Sequence, residues 1–507
     1  MSRTLLSTMV IFACVLPSTL VSAGGTADIY DQHCAPCHGI KGDGQGPAAY
    51  LLSPKPRDFT TGVYKFRSTP SGSPPTDQDL LRTLEHGIPG TAMPMWDRLP
   101  EVHRLALVQY VKSFSDVFED EDAKEAPIEI TTPPLVTPES ITAGQKVYQN
   151  MMCADCHGPR GKGDGPSAPT LTDDEDRPIR PYDFTRGPGL MKGGSSQQDI
   201  YRTFMTGLDG TPMPSYGDSL DEDERWQLVS YVQSLATSTE GTFLPPAGTP
   251  VLQAVKAVAD PSLDPDDAIW LEAPVSIIPL RPLWARDSWV DFVEVQISVG
   301  PKAATFRFEW RDGEKNDEVT GMKGFRDAVA LQFVPDGAPG NYIGLPFIAM
   351  GDKGKGVTIW HWKADWETRE AVLKQAAAMD QMAPQADLTT DKLRLAGLAA
   401  GNPLSKPTHK SPVQVLVAEG FGSLTSLPDA DQTVAGRGVW RDGVWTVVMR
   451  QPLDSTTMLP LRQGKPFPVA MAVWDGDAGD RNGQKAVSQW MELTLDETQR
   501  LKYVGPR

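Results

Sequence analysis

Two all-α domains followed by a mainly antiparallel β-sandwich is the fold class that this chain of 507 residues predicts. Three observations predict it. A Cys-x-x-Cys-His segment occurs twice within a longer duplication, with Cys34 and Cys153 119 positions apart. Acidic or Pro-rich breaks separate the copies and close off the second. Beyond them the hydrophobic period changes from helical spacing to strict alternation.

The duplication sets the first two units, read as 26–118 and 140–238. Cys34-Ala35-Pro36-Cys37-His38 matches Cys153-Ala154-Asp155-Cys156-His157. Arg57-Asp58-Phe59-Thr60 matches Tyr182-Asp183-Phe184-Thr185, and Gly90-Thr91-Ala92-Met93-Pro94 matches Gly210-Thr211-Pro212-Met213-Pro214. Leu107 to Ser113 matches Leu228 to Ser234; both carry apolar residues at helical spacing after polar starts, which predicts a closing helix in each unit. Residues 119–139, with Glu119-Asp120-Glu121-Asp122 and several prolines, read as an acidic linker without regular structure. A second Pro-rich connector is read at 239–264.

From 265 to 507 the pattern is that of short strands. Alternating runs occur at 290–299, 304–310, 328–334, 357–362, 413–417, 445–449, 469–474 and 488–495, with turn signals such as Arg441-Asp442-Gly443 and Asp475-Gly476-Asp477 among them. Many short period-2 runs predict an antiparallel sandwich. One helix is expected, over 366–382.

The first residues read as a secretory signal, 1–23: Arg3, an apolar stretch from Leu5 to Leu16, then Val21-Ser22-Ala23 as a small-residue cleavage site. Cys14 lies in the apolar stretch and would leave with it; lipoprotein processing at Cys14 is the competing reading, disfavoured by Phe12 and by the apolar Val15 and Leu16. No later apolar run reaches the roughly 20 residues a membrane span needs. A periplasmic location follows as the expectation. A net charge of -17 argues against nucleic acid and suits a basic soluble electron carrier as partner, although acidity also serves solubility alone.

Cys-x-x-Cys-His is the attachment signature of c-type haem. Two thiols add to the haem vinyl groups and the adjacent histidine faces the iron. Zinc would need two further ligands near each pair, and no suitable Cys/His pair follows. Thioredoxin-like chemistry needs neither a second copy nor the histidine. Cys34, Cys37, Cys153 and Cys156 are thus read as the anchors of two haems c, with His38 and His157 as iron ligands. Met93 and Met213, at equivalent places in the repeat, are read as the opposite ligands; thioether sulfur stabilises ferrous iron and raises the potential. Met95 competes locally, but Ser215 stands at its counterpart. The plain alternative is that these methionines only pack.

The Cys-x-x-Cys-His helix, the Gly-Thr-x-Met-Pro loop and the closing helix bearing Tyr110 or Tyr231 resemble mono-haem class I cytochrome c domains. Residues 265–507 resemble the haem-b-binding gamma subunit of ethylbenzene dehydrogenase and related periplasmic molybdenum enzymes. The segments that carry the likeness are Phe347 to Asp352, Val357 to Asp365, Gly443 to Arg450, Val473 to Gly476 and Asn482 to Ser488. In that family a β-sandwich holds a non-covalent haem b through a methionine and a lysine, and the matching motifs imply Met350 and Lys485 in those roles.

A lysine ligand must be neutral, yet free lysine has a pKa near 10.4; burial beside a cationic iron drives the proton off. Without the resemblance, Lys485 reads as a solvated loop lysine beside Asp480 and Arg481. His361 is a rival ligand, placed by strand alternation with Lys363 and opposite Trp360 and Trp362. Met322, Met449 and Met471 are weaker substitutes for Met350. His33, His86, His103 and His409 read as surface or packing residues.

The expected function is an electron-transfer subunit, not itself catalytic, with two haems c and one haem b. The resemblance implies a molybdopterin catalytic subunit and an iron–sulfur subunit as partners, with a soluble carrier at the other end. The alternatives are a stand-alone periplasmic shuttle whose β domain is a haem-free docking or ligand-binding module, and a peroxidase-like enzyme. The paired methionines, which close the iron sites, argue against the enzyme.

Overall fold

The structure, a computed structural model, describes residues 23–187, 191–236, 250–284, 286, 289–318, 324–335, 344–348, 350–367, 409–453 and 467–501. The expected leader up to residue 22, Cys14 within it, Met322 and residues 368–382 of the expected helix lie outside the described residues. No helix among the described residues is long and apolar enough to cross a membrane.

The first unit contains α1 (Ala23–His33), α2 (Ala35–His38), α3 (Asp77–His86) and α4 (Glu101–Lys112). The second repeats this order as α5 (Pro138–Asn150), α6 (Ala154–His157), α7 (Gln197–Thr206) and α8 (Glu222–Ser234). Local sequence dictates the starts. Thr76 with Asp79, Ser196 with Asp199 and Asp221 with Glu224 form reciprocal capping boxes at α3, α7 and α8. In each unit the first and last helices meet through tyrosines: Tyr30 and Tyr110 have ring centroids 5.1 Å apart, and Tyr148 and Tyr231 5.2 Å.

Gly144 is what lets α5 and α8 approach so closely. A Cβ at this position would lie 1.9 Å from the Gln227 carbonyl oxygen and 2.8 Å from Cβ of Tyr231. Gly144→Val should therefore push the helices apart and destabilise this unit by about 3 kcal/mol, at the upper end of overpacking costs. Thermal melting followed at the Soret band of the haem-loaded chain measures it; an unchanged transition would refute the contact.

The acidic segment after 118 differs from the loose linker expected of it. It has little regular structure beyond the short 3-10 turn at Glu121–Ala123, but it is docked. Ile128 N–H donates to the Ser68 carbonyl at 2.8 Å, Trp226 Nε1 donates to Thr131 Oγ1 at 2.9 Å, and Ile128 and Ile130 pack on the second unit's core. Two isoleucines among the charges supply the burial, a signal that charge and proline counting passes over.

Beyond 250 the chain forms a 14-stranded sheet. Its strands begin with β1 (Val251–Ala257), β2 (Ser276–Pro279), β3 (Arg281–Pro282), β4 (Phe292–Val299) and β5 (Ala303–Arg311). They continue with β6 (Ala328–Phe333), β7 (Val357–Lys363), β8 (Val413–Ala418), β9 (Thr425–Ser426) and β10 (Ala435–Arg441). They end with β11 (Val444–Pro452), β12 (Phe467–Trp474), β13 (Ala486–Val487) and β14 (Met491–Leu501). The main path runs β10, β11, β5, β4, β1, β14, β12, β6, β7, β8, β9, with β2 on β4 and β13 joining β12 to β3. Pairing is antiparallel except at β1, which runs parallel to both β14 and β4. That strand lies within the stretch read as a Pro-rich connector. Pro250 and Pro261 flank it, and their breaking signal hid the alternation of Leu252 and Ala254, both wholly buried.

The two ends of this path fold over one core. Phe306, Phe308 and Trp310 of β5 and Trp445 and Val447 of β11 pack with Trp360 and Trp362 of β7 and Val469 and Met471 of β12. Each fully buried aromatic contributes about 2–3 kcal/mol. The opposite face of β6, β7, β8 and β12 carries a separate cluster of small and medium residues, Ala328, Ala330, Ile359, Ala418, Ala472 and Trp474, against which Met350 packs.

Candidate functional site

In the first unit Cys34 follows α1 directly, its N–H bonded to the Tyr30 carbonyl at 2.8 Å, and Pro36 occupies the first turn of α2. His38 Nδ1 bonds to the Arg57 carbonyl at 3.0 Å. That contact makes Nδ1 the protonated nitrogen and leaves the Nε2 lone pair for a metal. Burial pushes the imidazole down to about 4, so it is neutral at physiological pH. The Cys34 and Cys37 thiols are pushed up to about 12, again by burial. The chain returns across this site through Met93, whose N–H donates to Thr91 Oγ1 at 3.2 Å while its carbonyl accepts from Ile88 N–H at 3.1 Å. Cys34, Phe59, Met93, Trp96 and Tyr110 border one apolar cluster. Met95 is not in it.

The second unit repeats this geometry. His157 Nδ1 meets the Tyr182 carbonyl at 3.3 Å, Met213 N–H donates to Thr211 Oγ1 at 3.2 Å, and the Met213 carbonyl accepts from Leu208 N–H at 3.1 Å. Burial lowers the His157 pKa as well. Gly87 and Gly207, at φ +62° and +68°, end α3 and α7 where a Cβ would strike the proline carbonyl carbon of the Met-Pro loop at 2.6 Å and 2.8 Å. Glycine there lets the methionine loop close over the site. Both sites thus offer two thiols, a neutral imidazole with a directed lone pair and a thioether against an aromatic lining, which is the donor set of a covalent haem. The carbonyls of Arg57 and Tyr182 were not singled out by sequence reasoning, although the repeat of Asp-Phe-Thr just after them marks the spot.

In the β domain Met350 lies in a loop held by Asp352, whose carboxylate accepts from Phe347 N–H at 3.0 Å; Gly420 N–H donates to the Met350 carbonyl at 2.8 Å. Lys485 follows the Asn482–Gly483 turn, where Asn482 takes φ +51° and Arg481 and Gln484 exchange backbone hydrogen bonds at 2.8–3.0 Å. Trp474 Nε1 reaches the Asn482 carbonyl at 3.2 Å, and Lys485 Nζ sits 4.6 Å from the Trp474 ring centroid. Burial alone pushes the Lys485 ammonium down to about 8. It pairs with no carboxylate among the described residues. A half-buried lysine beside Trp474, whose proton burial makes easier to lose, has the chemistry that a nitrogen ligand to a metal needs.

His361 shares that face, stacked on Trp474 at 4.6 Å, with its Nε2 buried and without a hydrogen-bond partner. Alternation thus separates His361 and Lys363 from the core tryptophans, as the strand pattern implied. Met449 and Met471 point into the core on the other side of the sheet, away from Lys485. His33 packs against Trp96 with the ring planes inclined at 58°, and His409 stacks on Trp366.

The three sites are joined through contacts that are half-buried or buried. Lys485 carbonyl accepts from Leu283 N–H at 3.0 Å, β3 lies just before Leu283, and the Arg281 guanidinium of β3 hydrogen-bonds the Met93 carbonyl. Gln32 Nε2 donates to the Leu345 carbonyl at 2.5 Å, and Ser53 N–H to the Leu283 carbonyl at 3.0 Å. From the first unit to the second, Arg67 Nη2 donates to the Thr206 carbonyl and to Asp209, each at 2.6 Å. In both junctions an arginine, buried at Arg67 and half-buried at Arg281, bonds the loop or helix end that leads to the next methionine. Neither arginine was flagged by the sequence, since nothing local distinguishes it.

Comparison with known proteins gives matching assignments domain by domain. The family described as cytochrome c matches residues 25–115 and 141–236, and that described as ethylbenzene dehydrogenase matches residues 267–486. A protein of Haloferax mediterranei described as a respiratory nitrate reductase heme subunit is 26% identical over 252 residues, 48% of this chain and 72% of that protein. Chlorate reductase subunit gamma of Ideonella dechloratans is 24% identical over 259 residues, 49% of this chain and 86% of that one. Dimethylsulfide dehydrogenase subunit gamma of Rhodovulum sulfidophilum is 28% identical over 243 residues, 44% and 72% respectively.

Proposed function

Since this chain joins two cytochrome c domains to a domain of the ethylbenzene dehydrogenase family, we propose that it is the electron-transfer haem subunit of a periplasmic molybdenum oxidoreductase. It carries two covalent haems c, on Cys34/Cys37 and Cys153/Cys156, and one haem b between Met350 and Lys485. His38 with Met93, and His157 with Met213, complete the covalent sites. Its partners are a molybdopterin subunit and an iron–sulfur subunit on one side and a soluble carrier on the other.

The observation that carries this reading is the row of contacts from Lys485 through β3 and Arg281 to Met93, then through Arg67 to the Thr206–Asp209 turn. When bound, each haem supplies a one-electron iron couple. The residues of the chain do the rest: His38 and His157 are held neutral by burial and oriented by backbone carbonyls, the aromatic linings exclude water, and the interdomain arginines keep neighbouring sites at fixed separation. With both axial positions filled, little rearranges on a change of charge, which suits relay and not catalysis.

Pyridine haemochrome analysis after acid-acetone extraction tests the haem content. Two haems should stay on the polypeptide and one should extract. Only covalent haem would overturn the haem b assignment and favour the stand-alone shuttle; purification from the native source without any molybdenum-containing partner would overturn the subunit assignment.

A further inference from the structure

The two copies of the repeat differ on one face, and the difference is systematic. In the first cytochrome c domain the edge beside the first cysteine is covered by the chain's own β domain. Gln32 bonds the Leu345 carbonyl, the Arg281 guanidinium bonds the Met93 carbonyl, and Arg98 pairs with Glu492 at 2.9 Å. In the second domain the corresponding edge is exposed at Met152, Asp155 and Asp218. One extra residue separates Tyr148 from Cys153 compared with Tyr30 and Cys34, and Met152 absorbs it at φ +57°, its side chain 67% exposed. A non-glycine residue in the left-handed region costs free energy, and here it holds an apolar side chain outward.

The charges on that edge are also exchanged. With Met93 aligned on Met213, Arg98 corresponds to Asp218, which is exposed. The start of α4 reads Glu101-Val102-His103-Arg104, and the start of α8 reads Asp221-Glu222-Asp223-Glu224. Pro36 between the first pair of cysteines corresponds to Asp155, also exposed. The nearby Arg225 turns inward, donating to the Gly217 carbonyl at 2.8 Å, and so does not neutralise the rim. Tyr216 borders the same apolar cluster as Met151, Cys153 and Met213, so the methionine loop and the cysteine edge are one surface.

We propose that this face of the second domain, with Met152 at its centre and Asp155, Asp218, Glu222 and Asp223 around it, docks a small soluble redox protein whose own cofactor edge is ringed by lysine or arginine. It rests on the relay reading above, and it makes the second domain the outer terminal. An apolar centre within an acidic rim is the pattern of a transient interface, in which charge steers encounter and a small dry patch sets the contact. The first domain cannot serve in the same way, because the β domain occupies its edge.

The test uses the full haem-loaded chain and, as probe, a small basic mono-haem cytochrome c with a lysine-ringed haem edge; binding is read by calorimetry at low salt. Asp218→Lys/Glu222→Lys/Asp223→Lys should weaken binding more than ten-fold and remove most of its salt dependence. The neutral set Asp218→Asn/Glu222→Gln/Asp223→Asn should have a smaller effect in the same direction, and Met152→Ser should weaken binding without altering the salt slope. Asp28→Lys/Asp31→Lys on the first domain should change affinity little. Equal affinity in the wild type and the charge-reversed chain, or a comparable loss from the Asp28/Asp31 variant, would overturn the proposal. Haem content measured on the same samples separates this outcome from failure of the relay reading: missing haem b with intact docking refutes the relay alone.

Discussion

Lys485→Ala should leave the purified chain with both covalent haems and without the extractable one. The lysine is presented by an Asn-Gly turn on a strand edge that is itself paired with β3, so the surrounding backbone does not depend on its side chain. What the substitution removes is the amine above Trp474, whose proton burial already makes easier to lose. Loss of one of two axial bonds should lower haem b affinity at least ten-fold, equivalent to about 1.4 kcal/mol or more. Lys485→His restores a nitrogen donor and should recover part of the content with a shifted spectrum. Full haem b content with an unaltered spectrum in Lys485→Ala would return Lys485 to the surface and turn attention to His361.

Arg67→Met should uncouple the two cytochrome c domains. The Arg67 side chain is completely shielded from solvent. It bonds the Tyr64 and Pro70 carbonyls of its own domain and the Thr206 carbonyl and Asp209 of the other. Removing it leaves the Asp209 carboxylate only Ser71 Oγ and Gly72 N–H as donors. Breaking a buried pair from one side costs about 3–5 kcal/mol, and the residual exposure of Asp209 argues for the lower end. The expected result is a second, lower thermal transition at the Soret band and faster proteolysis near 119–139. A single unchanged transition would show that the domains are held by other contacts.

How much was legible in the sequence differs from element to element. The repeat picked out the four cysteines, His38, His157 and both methionine loops as candidates, because the two copies carry the same residue types at matching spacings. Period-2 runs marked eight of the strands, since alternation survives wherever one face is buried. It failed at β1, where prolines on either side outweighed a short alternating run, and at the acidic segment after 118, where two isoleucines decide the packing. Met350 and Lys485 were reachable only by resemblance. Neither residue carries a local signal, and what brings them to one face is the pairing of β12 with β13 and β6.

Sequence by itself determined that this protein carries a duplicated Cys-x-x-Cys-His unit with matched histidine and methionine candidates and a third region of another class, because those features are written in short, locally sufficient patterns. Tertiary structure alone decided which edge of each copy is covered, through Arg281, Arg98 and Gln32 on the first and an exposed Met152 on the second. The physical reason is that such contacts join residues some 190 to 400 positions apart, whose partners are chosen by the packing of whole domains and leave no periodicity for a sequence to display.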